Sequence, residues 1–512
     1  MEGRVAQGRA STGVPRSDPH WLDLLPSALI GAALVAAALA AYWLPGSVRY
    51  YNHFVWQALA FLDGRAAITW PVPGNDFFQD VFPLRDANGN LTGFGLLPFP
   101  PLPAIVLMPV VAAFGLATDE RAVSVVLGAV DVGLCWWALG RLPVSRQVRL
   151  AVTIFFGFGT VFWYAAGLGT TWFLAHVVAL APLLVAVGLA LGGDRALAAD
   201  TEPDPDAGPD PDAGAGPDTA AAGELAPPPG AAIVGALREA VAEVTTGLRT
   251  PLSLIDRRQF AVGLLFGLAC TARLTIVFGA PFFMLVGSGG SLARRSISAG
   301  LGAIIPVGLL LAYNVATTGQ LLHPGYEYLY QLESAGYGAL GYHPDWSIED
   351  IRYLPQNLGI MFLSTPAILP ANEPDAFGGI GRALCTAEGA VRGLFDPECP
   401  IAMPRAIGMS LILTSPAYLF VLPALTRLRR SRLVAGATLA VAAIAIVNLM
   451  HFSQGWVQFG YRFSNDFVVF ALPLVALGMA RRGGVRLLAG WLVGASVAVN
   501  FWGLTWGNLQ GW

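Results

Sequence analysis

Apolar runs recur along the chain between short polar breaks, and most are long enough to be one transmembrane helix, which takes about 20 apolar residues. The first, "LLPSALIGAALVAAALAAYWL" (24–44), is too long for a signal-peptide core and follows a lengthy polar lead, so it reads as an uncleaved signal anchor. Further spans are predicted near 121–140, 150–166, 172–192, 260–288, 297–316, 406–426, 433–452, 463–480 and 486–506. Two runs are irregular. "PFPPLPAIVLMPVVAAFG" (98–115) holds five prolines and is expected to be interfacial or re-entrant. "FAVGLLFGLACTARLTIVFGAPFFML" (260–285) is interrupted by Arg273 and is expected to form a hairpin of two short helices. Broken backbone at membrane depth is tolerated only against protein or a wet cavity, so both irregularities point to one outward-facing cavity.

Orientation follows from arginine, which collects in cytoplasmic loops. Arg4, Arg9 and Arg16 keep the N-terminus inside, and "RLPVSRQVR" (141–149), "ARR" (293–295), "RLRRSR" (427–432) and "ARRGGVR" (480–486) mark inner loops. The result is an all-α polytopic membrane protein of about 11 transmembrane helices with its C-terminus outside. Residues 1–23 form a cytoplasmic N-terminus, and 24–192 an N-terminal transmembrane module with a first outer loop at 46–120. Residues 259–512 form a C-terminal module with an outer loop at 317–405. Between them, 193–258 is a cytoplasmic linker whose acidic, low-complexity part lacks large apolar side chains and is expected to be disordered. Ile233, Leu237, Val241, Val244 and Leu248 then recur at helical spacing, as in an amphipathic helix lying on the inner membrane surface.

Composition agrees with this class: of 512 residues 55% are hydrophobic and 12% charged, with a mean hydropathy of +0.59. All 30 basic residues are arginine, the bias of a GC-rich genome and a hint of a bacterium, in which the expected location is the inner membrane. The net charge of -3 leaves no nucleic-acid footprint. Cys135 and Cys270 fall within spans and read as packing residues, whereas Cys385 and Cys399 share the second outer loop, where an oxidising compartment favours a disulfide.

Four constellations on the outer side carry candidate chemistry. "NHFVWQALAFLDGR" (52–65) reads as an amphipathic juxtamembrane helix with Phe54, Leu59 and Leu62 toward lipid and Asn52, His53 and Asp63 as polar points. "GNDFFQDVFP" (74–83) holds Asp76 and Asp80, which share a face if the stretch is helical. Neighbouring carboxylates raise one another's pKa or bind a cation, and a raised pKa suits a general base. Arg273 in its apolar run, and Arg462 beside Asp466 in "QGWVQFGYRFSNDF" (454–467), suit a phosphate, because the guanidinium fork makes paired, charge-assisted hydrogen bonds. Snorkelling to the interface is the rival reading of Arg462.

In order, "NHFVWQALAFLDGR", "QDVFPL", "GLLPFPPLPAIVLMPVVAAFG", "GLACTARLTIVFGAPFF", "YLPQNLGIMFLSTP", "GMSLILTSPAYLF" and "QFGYRFSNDFVVFALP" resemble bacterial GT-C membrane glycosyltransferases, relatives of the protein O-mannosyltransferases and lipid A aminoarabinose transferases. The resemblance implies a GT-C-type bundle, a polyprenyl-phosphate-sugar donor, transfer with inversion on the extracytoplasmic face to a lipid, glycan or protein acceptor, and an acidic base in the first outer loop. By position that base is Asp80, or failing that Asp76; Arg462 and Arg273 would hold the donor phosphate, and His53, Asn52 and Asp466 would contact substrate. No metal-ligand spacing of His and acids stands out, so no metal ion is carried over, and a divalent cation is left open. A secondary transporter, or a polyprenyl-linked glycan ligase or flippase, is the alternative; a transporter should show internal repeats and a midplane site, and neither is visible.

The topology predicts that a cysteine introduced by Ala215→Cys is shielded from impermeant maleimide in intact cells. Labelling from outside would overturn the assignment of the linker to the cytoplasm.

Overall fold

A computed structural model of the chain describes residues 22, 25–44, 51–75, 78–194, 254–333, 343, 345–374, 380–455, 457–482 and 485–512. Asp76, most of the 193–258 linker with the helix expected at 232–249, and nearly all of the N-terminus lie outside them. Helices dominate: α1 (Ser27–Trp43), α2 (His53–Leu62), α3 (Leu102–Phe114), α4 (Glu120–Leu139), α5 (Arg146–Phe158), α6 (Phe162–Leu168) and α7 (Thr171–Gly193) build the first part. The second contains α8 (Arg257–Cys270), α9 (Ala280–Leu285), α10 (Leu292–Thr318), α11 (Gly325–Glu333), α12 (Leu354–Leu363), α13 (Leu411–Thr414), α14 (Val421–Leu425), α15 (Arg432–Met450), α16 (Ser464–Arg481) and α17 (Leu487–Leu509).

Among the described residues six helices, α4, α7, α10, α15, α16 and α17, are long and apolar enough to cross a membrane. The pair α5 and α6 makes a seventh if its 48° bend lies within one span. The chain is a multi-pass helical membrane protein. The expectation of about 11 spans is not confirmed among the described residues, where several apolar runs fold as shorter pieces: α1 has 17 residues, and 416–425 is divided between a 3-10 turn and α14. α7 and α16 are sheathed by other helices, whereas α10 and α17 expose much of their apolar surface, as lipid-facing helices do.

Close helix packing follows from small residues, which let backbones approach when no hydrophobic driving force separates protein from lipid. α8 and α10 cross at Gly263 and Gly302: a Cβ added at Gly263 would stand 2.0 Å from the Ala299 carbonyl oxygen, and one at Gly302 would stand 2.1 Å from that of Phe260. The run around Arg273 is a broken hairpin. α8 stops at Cys270, Arg273 is extended (φ -140°, ψ 100°), and a 3-10 helix over Leu274–Gly279 leads into α9. The amide of Leu102, at the start of proline-rich α3, donates to Thr271 O at this break (3.2 Å), so the two irregular segments meet.

The first loop holds a sheet that an all-α reading does not include: β1 (Ile68–Thr69), β2 (Phe82–Arg85) and β3 (Leu91–Leu96), antiparallel in the order β1-β3-β2. Its tight turn is encoded by "DANGN": Asp86 Oδ1 accepts from the amides of Asn88 and Asn90, both at 2.9 Å, and Gly89 takes φ 84°. Three strands of two, four and six residues leave little periodic signal. Phe54, expected to face lipid, is fully buried instead, because α3 folds back on α2 and brings Phe99 to 5.8 Å from its ring. In the second loop Cys385 and Cys399 form a disulfide beside a two-stranded ribbon, β4 (Ala367–Ile368) and β5 (Ala402–Met403). Leu384 and Met403 seat this unit on Trp506 of α17.

The α8–α10 crossing predicts that Gly263→Val costs at least the roughly 1–3 kcal/mol typical of overpacking, since the intruding atoms meet backbone. Thermal unfolding in detergent should show a clear loss for Gly263→Val and almost none for Gly300→Ala, whose added Cβ meets nothing within 4 Å.

Candidate active site

The site is organised by the first two turns of α7. Gly169 (φ 60°) turns the chain sharply into the helix, and a Cβ there would lie 2.6 Å from the Ser124 Cβ. Thr171, Trp172, Phe173 and His176 then reach different parts of one cluster, drawn from both modules.

At the centre is Asp466, in the first turn of α16 and wholly removed from solvent. A buried carboxylate is costly unless its charge and lone pairs are met, and here they are. Oδ1 accepts from Arg273 Nε (3.0 Å) and lies 3.0 Å from His176 Nδ1; Oδ2 accepts from Arg273 Nη2 (2.8 Å), Thr275 Oγ1 (2.8 Å) and Asn448 Nδ2 (3.2 Å). Four segments are thereby tied together: α7, the 271–279 break, α15 and α16.

Beside this knot lie Arg462 and Asp80. The Arg462 and Arg273 guanidinium carbons stand 5.3 and 5.5 Å from the ring centroid of Phe463, and Arg462 also lies 5.7 Å from that of Phe173. Arg273 is held by Asp466, whereas Arg462 Nε is buried with no hydrogen-bond partner among the described residues. Asp80 is not helical; it adopts a left-handed φ of 57°, and its Oδ2 accepts from Trp172 Nε1 (2.8 Å). Burial pushes its pKa up to about 6, opposed by the indole hydrogen bond and by the Arg462 charge. A carboxylate that loses its proton near neutral pH, next to an arginine with an unfilled donor, can accept a proton beside a bound anion.

No family model matches the chain, and no curated protein does. Among solved structures it is similar to the archaeal oligosaccharyltransferase AglB from Archaeoglobus fulgidus, in complex with an inhibitory peptide and a dolichol-phosphate. The identity is 11% and the TM-score 0.35, over 96% of this chain and 56% of that one. At that TM-score the likeness carries no argument about function.

The remaining candidates fall into place around this centre. His53 begins α2 and is fully buried, with Nδ1 3.0 Å from Thr171 Oγ1 and Nε2 2.9 Å from Gln79 O. Asn52 caps α2 through its backbone carbonyl, which accepts from Val55 and Trp56. The Asp466 carboxylate has its oxygens engaged by protein groups, and Arg273 spends Nε and Nη2 on it. Cys385 and Cys399 belong to the separate unit on α17. Among the described residues no three His, Cys, Asp or Glu side chains gather as a metal site. Trp172, Thr171, His176, Thr275 and Asn448 were not singled out above; His176 alone carried a signal, an ionisable side chain inside a membrane span.

Breaking a buried ion pair costs about 3–5 kcal/mol by stranding a charge. Arg273→Ala should therefore destabilise the protein strongly, and Arg273→Ala combined with Asp466→Asn should recover part of the loss. Equal melting temperatures for wild type and Arg273→Ala would show that the knot does not hold the fold.

Proposed function

We propose that the chain is a membrane glycosyltransferase that moves a sugar from a polyprenyl-phosphate donor to an extracytoplasmic lipid, glycan or protein acceptor in a bacterial inner membrane, within a GT-C-type bundle. The observation that carries this reading is that Asp80, fixed by the Trp172 indole, lies within electrostatic reach of Arg462, whose buried Nε has no hydrogen-bond partner among the described residues. The cluster stands at the opposite end of α16 from Arg481 in its last turn. By the preference of arginine for cytoplasmic loops, that supports a site on the outer face.

In this reading Asp80 takes the proton from an acceptor hydroxyl as its oxygen attacks the anomeric carbon. The bond from that carbon to the phosphate oxygen breaks, its electron pair leaves with the lipid phosphate, and the proton stays on Asp80 until solvent removes it. Attack from the face opposite the phosphate inverts the anomeric centre. Arg462 meets the charge that grows on the leaving phosphate. Arg273, braced by Asp466, adds positive field at close range and has Nη1 left for a phosphate oxygen. Asp76, in the same loop, is an acceptor-binding or tuning group. Trp172 sets the Asp80 carboxylate and, with the aromatic rings around it, supplies a face on which a sugar can pack.

Purified protein in nanodiscs should consume a radiolabelled polyprenyl-phosphate sugar, and Asp80→Asn should bind donor but lose about a hundredfold to ten-thousandfold in turnover, the usual worth of a general base. Because the folded pKa is raised, the base is present above about pH 6 and lost below it, so wild-type turnover should fall to half near pH 6 on the acid side. Normal transfer by Asp80→Asn, Asp76→Asn and the double variant would remove this loop from the chemistry.

A further inference from the structure

The geometry points to His53 as a positioning residue: its imidazole, held by Thr171, fastens the carbonyl of Gln79 and so fixes where the neighbouring Asp80 carboxylate stands. The inference rests on Asp80 being the base proposed above, and assigns His53 a role that involves no contact with substrate.

Gln79 O can only accept, so His53 Nε2 must carry the proton that it donates across 2.9 Å. Neutral Nδ1 is then an acceptor, matched by the Thr171 hydroxyl 3.0 Å away. The same Thr171 Oγ1 accepts from the His53 backbone amide (3.3 Å), so one hydroxyl at the start of α7 grips both ends of this residue. Around the ring stand Tyr51, stacked at 5.7 Å between centroids, and Trp56, Phe78, Phe99 and Trp172 at 5.2–5.9 Å. Burial in this box lowers the His53 pKa to about 4, which keeps the neutral, single-donor tautomer throughout the working range.

The restraint falls where it matters. Asp80 follows Gln79 directly and sits in a left-handed conformation, which a non-glycine residue keeps only when its surroundings over-determine it. Adjacent residues on α7 hold the two ends of this dipeptide: Thr171 through His53 to the Gln79 carbonyl, and Trp172 to the Asp80 carboxylate. Burial of the carboxylate depends on that hold; Arg462 is the group whose charge bears on it, and the neutral phenol of Tyr326 lies near enough for the Asp80 charge to help raise its own pKa. Released from His53, the loop would carry Asp80 toward water.

His53→Phe fills the aromatic box and removes both side-chain hydrogen bonds. Its kcat should fall at least about tenfold, as expected when a reacting group loses its orientation, with the KM for a polyprenyl-phosphate sugar unchanged and the acid limb of the pH profile displaced to lower pH. His53→Gln, which can donate to Gln79 again, should regain part of the rate, and Thr171→Val should show the same signature in weaker form. An activity-independent readout is labelling of Asp80 by dicyclohexylcarbodiimide, which attacks protonated carboxyls in apolar surroundings, mapped by mass spectrometry against pH. The labelling curve should shift to lower pH in His53→Phe. Unchanged kcat, acid limb and labelling curve in a folded His53→Phe would overturn the inference, as would a raised KM at unchanged kcat, which would put His53 on the donor. If His53→Phe does not fold, the same criteria apply to His53→Gln and Thr171→Val. Normal turnover in Asp80→Asn would instead reject Asp80 as the base, while the labelling curves still decide whether His53 holds it.

Discussion

The carboxylate of Asp466, with no access to water, is the constraint on which the site depends. A charge there is tolerable only if the protein supplies what water would have supplied. Arg273, Thr275 and Asn448 do so by hydrogen bonds from two segments outside α16, and the His176 imidazole of α7 stands 3.0 Å away. The requirement explains features that otherwise look unrelated. α8 must break, because a continuous helix would keep Arg273 on its own cylinder instead of releasing it in extended conformation. α7 must carry a histidine within the membrane. Asn448 must stand near the end of α15, two residues before that helix stops at Met450.

Once Arg273 is bound to Asp466, the two arginines of the site are no longer equivalent. Both stand against Phe463, but one has a carboxylate at bonding distance and the other has an unfilled buried donor. Among the described residues Arg462 Nε has no hydrogen-bond partner, which suits the anion-binding role proposed for it, while Arg273 is held in the knot. Asp80 is held by the Trp172 indole, one turn of α7 before the His176 that faces the knot, near enough to Arg462 for its charge to be felt. The proposed base and anion site both meet one short stretch of helix, Thr171–His176, through Trp172 and Phe173.

Hydropathy made the long helices legible, since insertion depends on composition summed over a whole span. The interruption at Arg273 and the prolines of 98–115 were legible as irregularities, and their meeting at Thr271 and Leu102 is a consequence of the free backbone groups that broken helices must satisfy. What was not legible was pairwise. Nothing local in "TWFLAHVV" says that its histidine faces an aspartate on α16, or that its tryptophan faces Asp80. The sheet of the first loop was hidden for a different reason: with strands this short, the turn chemistry of "DANGN" is the signal, and it lies among residues that also read as an ordinary loop. Phe54 was misplaced because an amphipathic helix beside a membrane and one beneath a re-entrant segment present the same pattern.

In the proposed reaction a donor phosphate settles on Arg462 with its sugar turned toward Asp80. The most direct measurement is a cryo-electron microscopy structure of the Asp80→Asn protein in nanodiscs, saturated with a polyprenyl-phosphate sugar. Phosphate density is expected within hydrogen-bond distance of the Arg462 guanidinium, with the Arg273–Asp466 pair intact and the anomeric carbon between that phosphate and the side chain at position 80. A lipid phosphate bound elsewhere, with the Arg462 guanidinium still unengaged, would contradict it.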